Sequence, residues 1–190
     1  MKVWDGLVRM LHWTLVGAVA CAWLSTLGLG FVRFHETAGY VALGVVVMRL
    51  VWGFTGSRFA KFSEFIRGAG VVWRYTQQLR SGIEPRYIGH NPLGGWMVLA
   101  LLACIACLGF TGWLYTTDAF WGEAWLDRLH NALAWGLLGL IALHLAGVVF
   151  TSLRHRENLV LAMFNGRKIN PSQVLPKNPS LPSDGVDTLL

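Results

Sequence analysis

Residues 129–153 read LHNALAWGLLGLIALHLAGVVFTSL, an apolar run that carries two histidines, His130 and His144, fourteen positions apart. Fourteen residues are almost four turns of α-helix, so on a helix both imidazoles leave on nearly the same side. At ~1.5 Å rise per residue they stand about 21 Å apart along the axis. The hydrocarbon core of a bilayer is ~30 Å thick, which places one ring near each membrane surface. Two more histidines, His12 and His35, sit in neighbouring apolar runs. This spacing predicts two stacked metal centres spanning a membrane, with haem as the metal group.

Composition sets the same scene. The chain is 54% apolar and only 14% charged, and its mean hydropathy is positive, far from an ordinary soluble domain. Its net charge of +6 is not arranged for nucleic acid. The charges fall in the gaps between apolar runs, and several of the ten tryptophans lie near the ends of those runs, as in an interfacial aromatic belt. Four spans are expected, over about 11–31, 37–54, 93–114 and 129–153, each close to the twenty residues a membrane helix needs. The expected fold is therefore an all-α integral membrane protein, a four-helix bundle with two b haems between its helices. Residues 1–168 form the membrane domain. The first run lacks a secretory cleavage pattern and is expected to be retained.

Counting Lys and Arg orients the bundle. One side carries Lys2, Arg9, the basic residues between Arg58 and Arg86, and Arg154, Arg156, Arg167 and Lys168. The other has Arg33 and Arg128 against Asp118, Glu123 and Asp127. By the positive-inside rule both termini are cytoplasmic, in a multi-pass protein of the bacterial inner membrane. Between the second and third spans, at about 61–81, Phe62, Phe65, Ile66, Val72, Trp73 and Leu79 alternate with Lys61, Arg67, Arg74 and Arg80. This reads as an amphipathic helix lying on the cytoplasmic membrane surface, with a docking surface as the other reading. Residues 169–190, rich in Pro, Ser, Asn and Asp, are expected to be a disordered cytoplasmic tail.

The topology pairs the histidines by depth. His12 opens the first span on the cytoplasmic side and His35 opens the second on the periplasmic side. The fourth span descends from the periplasm, so His130 matches His35 and His144 matches His12. Opposed imidazoles from two helices can clamp a b-type haem through both axial positions, which leaves no open position for oxygen and favours electron transfer. Each would ligate in its neutral form. The competing reading is polar residues that seal helix contacts, but ionisable groups inside a bilayer are functional candidates by default.

Other residues surround these pairs. His90 lies in Arg86-Tyr87-Ile88-Gly89-His90-Asn91-Pro92 at the start of the third span, where Asn91 and Pro92 suit a helix N-terminus. His90 and Tyr87 are left over as candidate contacts for a quinone or a haem propionate. Arg9, one turn before His12, and Arg49, at the end of the second span, are candidate propionate partners or snorkelling helix-end cations. Arg33, near His35, is a propionate candidate on the periplasmic side. His155 belongs to a solvated basic cluster with Arg154 and Arg156. Cys104 and Cys107 have C-x-x-C spacing but lie mid-span without a following histidine, so they do not attach a c-type haem. No phosphate loop, nucleophilic triad or zinc pattern is present, and no residue is assigned a catalytic role.

At this point the chain resembles a known family. The run Val3-Trp4-Asp5 through Val8-Arg9 to His12-Trp13 is similar to the opening of bacterial b561-type cytochromes, relatives of the cytochrome b subunits of nickel-iron hydrogenases and formate dehydrogenases. Further matches are His35-Glu36-Thr37-Ala38-Gly39-Tyr40, Arg49-Leu50-Val51-Trp52-Gly53, Gly89-His90-Asn91-Pro92-Leu93-Gly94, and Ser152-Leu153-Arg154-His155-Arg156-Glu157-Asn158. The resemblance implies a membrane cytochrome with two b haems that exchanges electrons between quinone and a redox partner, which is a dehydrogenase, a hydrogenase or a c-type cytochrome. It carries His12, His35, His130 and His144 over as the axial ligands, in the pairs reached above. The second implied function is a self-contained b561-type enzyme, such as a superoxide oxidase that reduces quinone.

Overall fold

The computed structural model describes residues 2–27, 33–83 and 85–168. The expected tail at 169–190 and the last residues of the first expected span lie outside the described residues. Four long helices dominate: α1 (Gly6–Ser25), α2 (Arg33–Thr55), α5 (Pro92–Tyr115) and α6 (Ala124–His155). Between α2 and α5 run a 3-10 turn (Arg58–Ala60) and two shorter helices, α3 (Phe62–Phe65) and α4 (Ala69–Arg80); α7 (Leu159–Asn165) follows α6. The four long helices are long and apolar enough to cross a membrane. Their apolar side chains point outward as well as inward: Trp135 is 67% exposed and Leu153 75%. A helix that is apolar all round needs an apolar surrounding, and lipid supplies it.

Helix ends are set by local chemistry. Asp5 caps α1 by accepting the Val8 N–H at 2.8 Å, and Asn91 caps α5 by accepting the Gly94 N–H at 2.7 Å, with Pro92 in the first turn. These side chains satisfy amide donors that have no partner inside the helix. Asn158 does the same for α7, and Gly166 ends it in the left-handed region at φ 76°. The Gly166 carbonyl then accepts the N–H groups of Val3 at 2.8 Å and Trp4 at 3.2 Å, which clasps the two chain ends together.

The segment at 61–81 differs from a single surface helix. It is broken around Ile66–Gly68, where the backbone is extended. Phe62 and Phe65 turn inward and are buried in the bundle core. Two glycines make this possible: a Cβ on Gly53 would lie 2.1 Å from the Phe62 ring, and one on Gly95 would lie 2.6 Å from the Phe65 carbonyl oxygen. Only α4 keeps the amphipathic pattern, with Tyr75 buried and Trp73 exposed.

In the bundle, α1 packs on α2, α2 on α5, and α5 on α6. Across the remaining seam, α6 meets α1 and α2 through side chains, as in the edge-on contact of Trp23 with Trp135 at 5.4 Å. The inner positions fall into three layers. Ala18, Ala42, Val46, Leu102, Ile105 and Leu137 form an apolar middle. Leu137 lies seven residues, two turns, from both His130 and His144, so all three share one face of α6. A polar layer lies beyond the middle on each side. The near layer is at the end of the bundle that carries Lys2 and Lys168; the far layer is at the other end.

Candidate functional site

The far layer is built by α1, α2, α5 and α6. His35 of α2 and His130 of α6 face each other across the seam, with ring centroids 6.2 Å apart and planes inclined by 66°. His35 Nδ1 lies 3.0 Å from the Ala22 carbonyl oxygen and 3.1 Å from Ser25 Oγ. His130 Nδ1 lies 2.9 Å from Thr111 Oγ1. Ser25 and Thr111 are both buried. Each imidazole therefore has one nitrogen occupied by the protein and the other, Nε2, uncommitted.

That arrangement fits a shared metal. An imidazole nitrogen sits about 2.0–2.1 Å from a first-row metal, and its ring centre roughly 1.1 Å further back, so two opposed ligands have centroids about 6 Å apart. A bare ion would need three or four protein ligands, and among the described residues no group of three His, Cys, Asp or Glu is placed to hold one. A metal that brings its own equatorial ligands, as haem iron does, needs only the two axial imidazoles. Metal-binding histidines also characteristically donate their second ring N–H to a protein acceptor, as the hydroxyls and the carbonyl provide here.

The near layer has a different character. His12 of α1 lies within electrostatic range of His144 of α6, and both lie within range of His90, as do Lys168 and Arg49. His90 packs against Trp4 and Phe65, each at 4.7 Å between ring centroids. Burial, with the charges of Lys168 and Arg49 behind it, pushes the His90 imidazole down to about 3, so the ring is neutral. Burial lowers the Lys168 ammonium as well, against the pull of Glu157. Lys168 Nζ donates to the Gly89 carbonyl at 3.4 Å. The Asp5 carboxyl is opposed by burial, yet the Ser57 hydroxyl, the Val8 N–H and the Trp52 indole outweigh it and hold the group below the usual carboxylate range.

Three buried nitrogens in or beside this layer have no hydrogen-bond partner among the described residues: Trp13 Nε1, Arg49 Nη1 and His90 Nδ1. Leaving a buried polar group unmatched costs about 1–3 kcal/mol. Trp13 and Arg49 present N–H groups, and the neutral His90 ring can turn either role to Nδ1. Of these, Arg49 and His90 lie close enough to interact and together suit a ligand that brings carboxylate or carbonyl oxygens. Arg49 is anchored through its other nitrogen, Nη2, which donates to the Ala60 carbonyl at 3.0 Å, with the guanidinium over the Phe62 ring.

The remaining candidates are placed elsewhere. Arg9 donates from Nε to the Asp5 carbonyl and from Nη1 to the Phe164 carbonyl, tying α1 to α7. Arg33 is exposed, with its guanidinium 4.9 Å from the centre of the Phe34 ring. Ser25, Thr111 and Trp13 escaped sequence reasoning. The only signal for the hydroxyls was their position toward the ends of apolar runs.

Comparison with known proteins adds the family. The chain matches prokaryotic cytochrome b561 over residues 3–166. It is similar to a probable Ni/Fe-hydrogenase B-type cytochrome subunit of Azotobacter vinelandii, 24% identical over 164 residues that cover 73% of this chain and 68% of that protein. A protein of the same description from Azotobacter chroococcum mcd 1 is 23% identical with the same coverage. No solved structure matches. With a match that takes in all four long helices and both histidine layers, the chain belongs to the prokaryotic cytochrome b561 family.

Proposed function

We propose that this chain is a di-haem membrane cytochrome b that carries electrons between the quinone pool and a redox partner across the bacterial inner membrane. Family membership implies haem b. The observation that carries the reading is the far pair: two rings 6.2 Å apart, each with Nδ1 held by the protein. His35 and His130 are the proposed axial ligands of one haem, and His12 with His144 those of the other. Held by two imidazoles, the haem would supply one-electron transfer rather than substrate chemistry.

The chain's own residues define the rest of the role. The apolar middle layer around Val46 and Leu137 keeps water out between the two sites. Arg49 and His90 offer buried polar atoms to a propionate or to a quinone oxygen at the near layer. A cavity of about 240 Å³, lined by Phe59, Phe65, Tyr87 and His90 among others, adjoins that layer and is the proposed quinone site. Arg9 and Arg33 are assigned propionate contacts only through their nearness in sequence to His12 and His35. The excess of Lys and Arg at the near end supports cytoplasmic termini. The relatives' description as hydrogenase subunits favours a hydrogenase or related dehydrogenase as partner, ahead of a c-type cytochrome.

The deciding experiment is haem content per chain in detergent-purified protein, with a reduced-minus-oxidised spectrum. Two low-spin b haems are expected. A chain without haem, despite adequate haem supply during expression, refutes the reading.

A further inference from the structure

We infer that Ser25 and Thr111 are positioning residues that fix the tautomer of His35 and His130 and tune the metal they hold. The inference rests on the proposed His35–His130 ligand pair and deepens it. A hydroxyl has one proton to donate and two lone pairs that accept, whereas a carbonyl oxygen only accepts. Ser25 Oγ lies 2.6 Å from the Ala22 carbonyl oxygen and gives its proton there. Toward His35 Nδ1, at 3.1 Å, it therefore accepts, as does the Ala22 carbonyl at 3.0 Å. Two acceptors facing one nitrogen make that nitrogen the protonated one.

The same reasoning holds on the other helix. Thr111 Oγ1 back-bonds to the Cys107 carbonyl at 2.9 Å and to the Leu108 carbonyl at 3.1 Å, which uses its proton within α5. Toward His130 Nδ1, at 2.9 Å, it accepts. Both rings are thus held as Nδ1–H, and both leave Nε2 with the lone pair that a metal requires. Ser25 is 1% exposed and Thr111 4%, so water does not compete for these bonds. Two unrelated hydroxyls, on different helices, converge on one protonation pattern.

The energetic consequence has a direction. An acceptor on Nδ1–H makes Nε2 a stronger electron donor, which favours the oxidised metal and lowers its potential. The two sides are unequal. His35 keeps the Ala22 carbonyl when Ser25 is lost, whereas the hydrogen bond to His130 comes from Thr111 alone among the described residues. Removing the threonine hydroxyl should have the larger effect.

The test is a redox titration of the purified, haem-loaded protein. Thr111→Val is expected to raise one of the two midpoint potentials by up to about 59 mV, which for a one-electron couple equals a tenfold change in preference for the oxidised form. The other potential stays put. Thr111→Ser should keep the wild-type value, and Ser25→Ala should give a smaller rise. If the valine variant fails to hold haem, Ser25→Ala carries the test, because the Ala22 carbonyl still supports its ring. Wild-type potentials in Thr111→Val, or in Ser25→Ala where that variant decides, overturn the inference and leave the ligand pair standing, provided His130→Ala loses one haem. A full haem complement in His130→Ala overturns the ligand pair and this inference together.

Discussion

The two polar layers of this bundle solve the placement of histidine in a membrane in opposite ways. At the far layer, His35 and His130 have their second nitrogens bonded to buried groups of the protein. At the near layer, neither His12 nor His144 has a hydrogen-bond partner among the described residues, while Arg49, His90 and Trp13 hold buried nitrogens with none either. The far layer is organised before anything binds. The near layer keeps buried nitrogens without partners among the described residues, which the proposed ligand would match. Polar satisfaction at one end is thus intrinsic to the fold, and at the other it would depend on the proposed ligand.

The largest expected effect breaks the comparison outright. His130→Ala should remove the far haem and leave the near one, and His12→Ala should do the reverse, each reducing haem per chain from two to one in the pyridine haemochrome assay. Loss of both haems from either variant would mean that the two layers are not independent. A smaller effect separates the layers energetically. Arg49→Met removes an unmatched buried donor but also the Nη2 hydrogen bond to the Ala60 carbonyl, so without haem it should cost about 0.5–1.5 kcal/mol. With haem bound, the loss should be larger by about a further 1–3 kcal/mol, the cost of leaving a buried acceptor on the ligand unmatched. Thermal unfolding of the parent and the variant, with and without haem, reads this difference; equal losses in the two states would show that Arg49 is purely structural.

The clasp at the near end offers a third lever of similar or lesser size. Gly166 has φ 76°, and a Cβ there would lie 2.6 Å from the Trp4 carbonyl oxygen. Gly166→Ala is expected to cost about 1–3 kcal/mol through left-handed strain and overpacking. It should disturb the near haem's absorption band and leave the far band unchanged. Equal disturbance of both bands would show that the apolar middle layer transmits strain between the ends.

Much of this architecture is legible in the sequence, because it is written in periodicities. The apolar runs mark the four long helices, and the fourteen-residue spacing puts His130, Leu137 and His144 on one face of α6. The second layer of detail is not legible, because it depends on contacts between distant residues. Ser25 meets His35 across ten positions and Thr111 meets His130 across nineteen, and neither hydroxyl belongs to a pattern. Phe62 and Phe65 look like the apolar face of a surface helix until Gly53 and Gly95 are seen to leave slots for them. Arg9 sits one turn from His12, yet its guanidinium is held by the Phe164 carbonyl, 155 residues away.

The gentlest probe of the near layer is acid. His90 is neutral in the folded chain, with its imidazole held down to about 3 by burial and by the neighbouring Lys168 and Arg49 charges, against about 6.5 when unfolded. Between those values the unfolded chain binds a proton that the folded chain refuses. Stability is therefore complete above about pH 6.5 and falls as the pH drops toward 3, by at most about 1.4 kcal/mol per pH unit from this one group. Over the accessible range from pH 7 to pH 5.5 the loss is about 1 kcal/mol. His90→Phe removes the titrating group from a pocket already formed by Trp4 and Phe65, so it should flatten the melting temperature against pH by that amount. A parallel slope in the variant would assign the acid sensitivity to other groups. In that case Asp5 is the next one to test: its depressed carboxyl loses its stabilising contribution as the pH falls below the usual carboxylate range, later than His90 does.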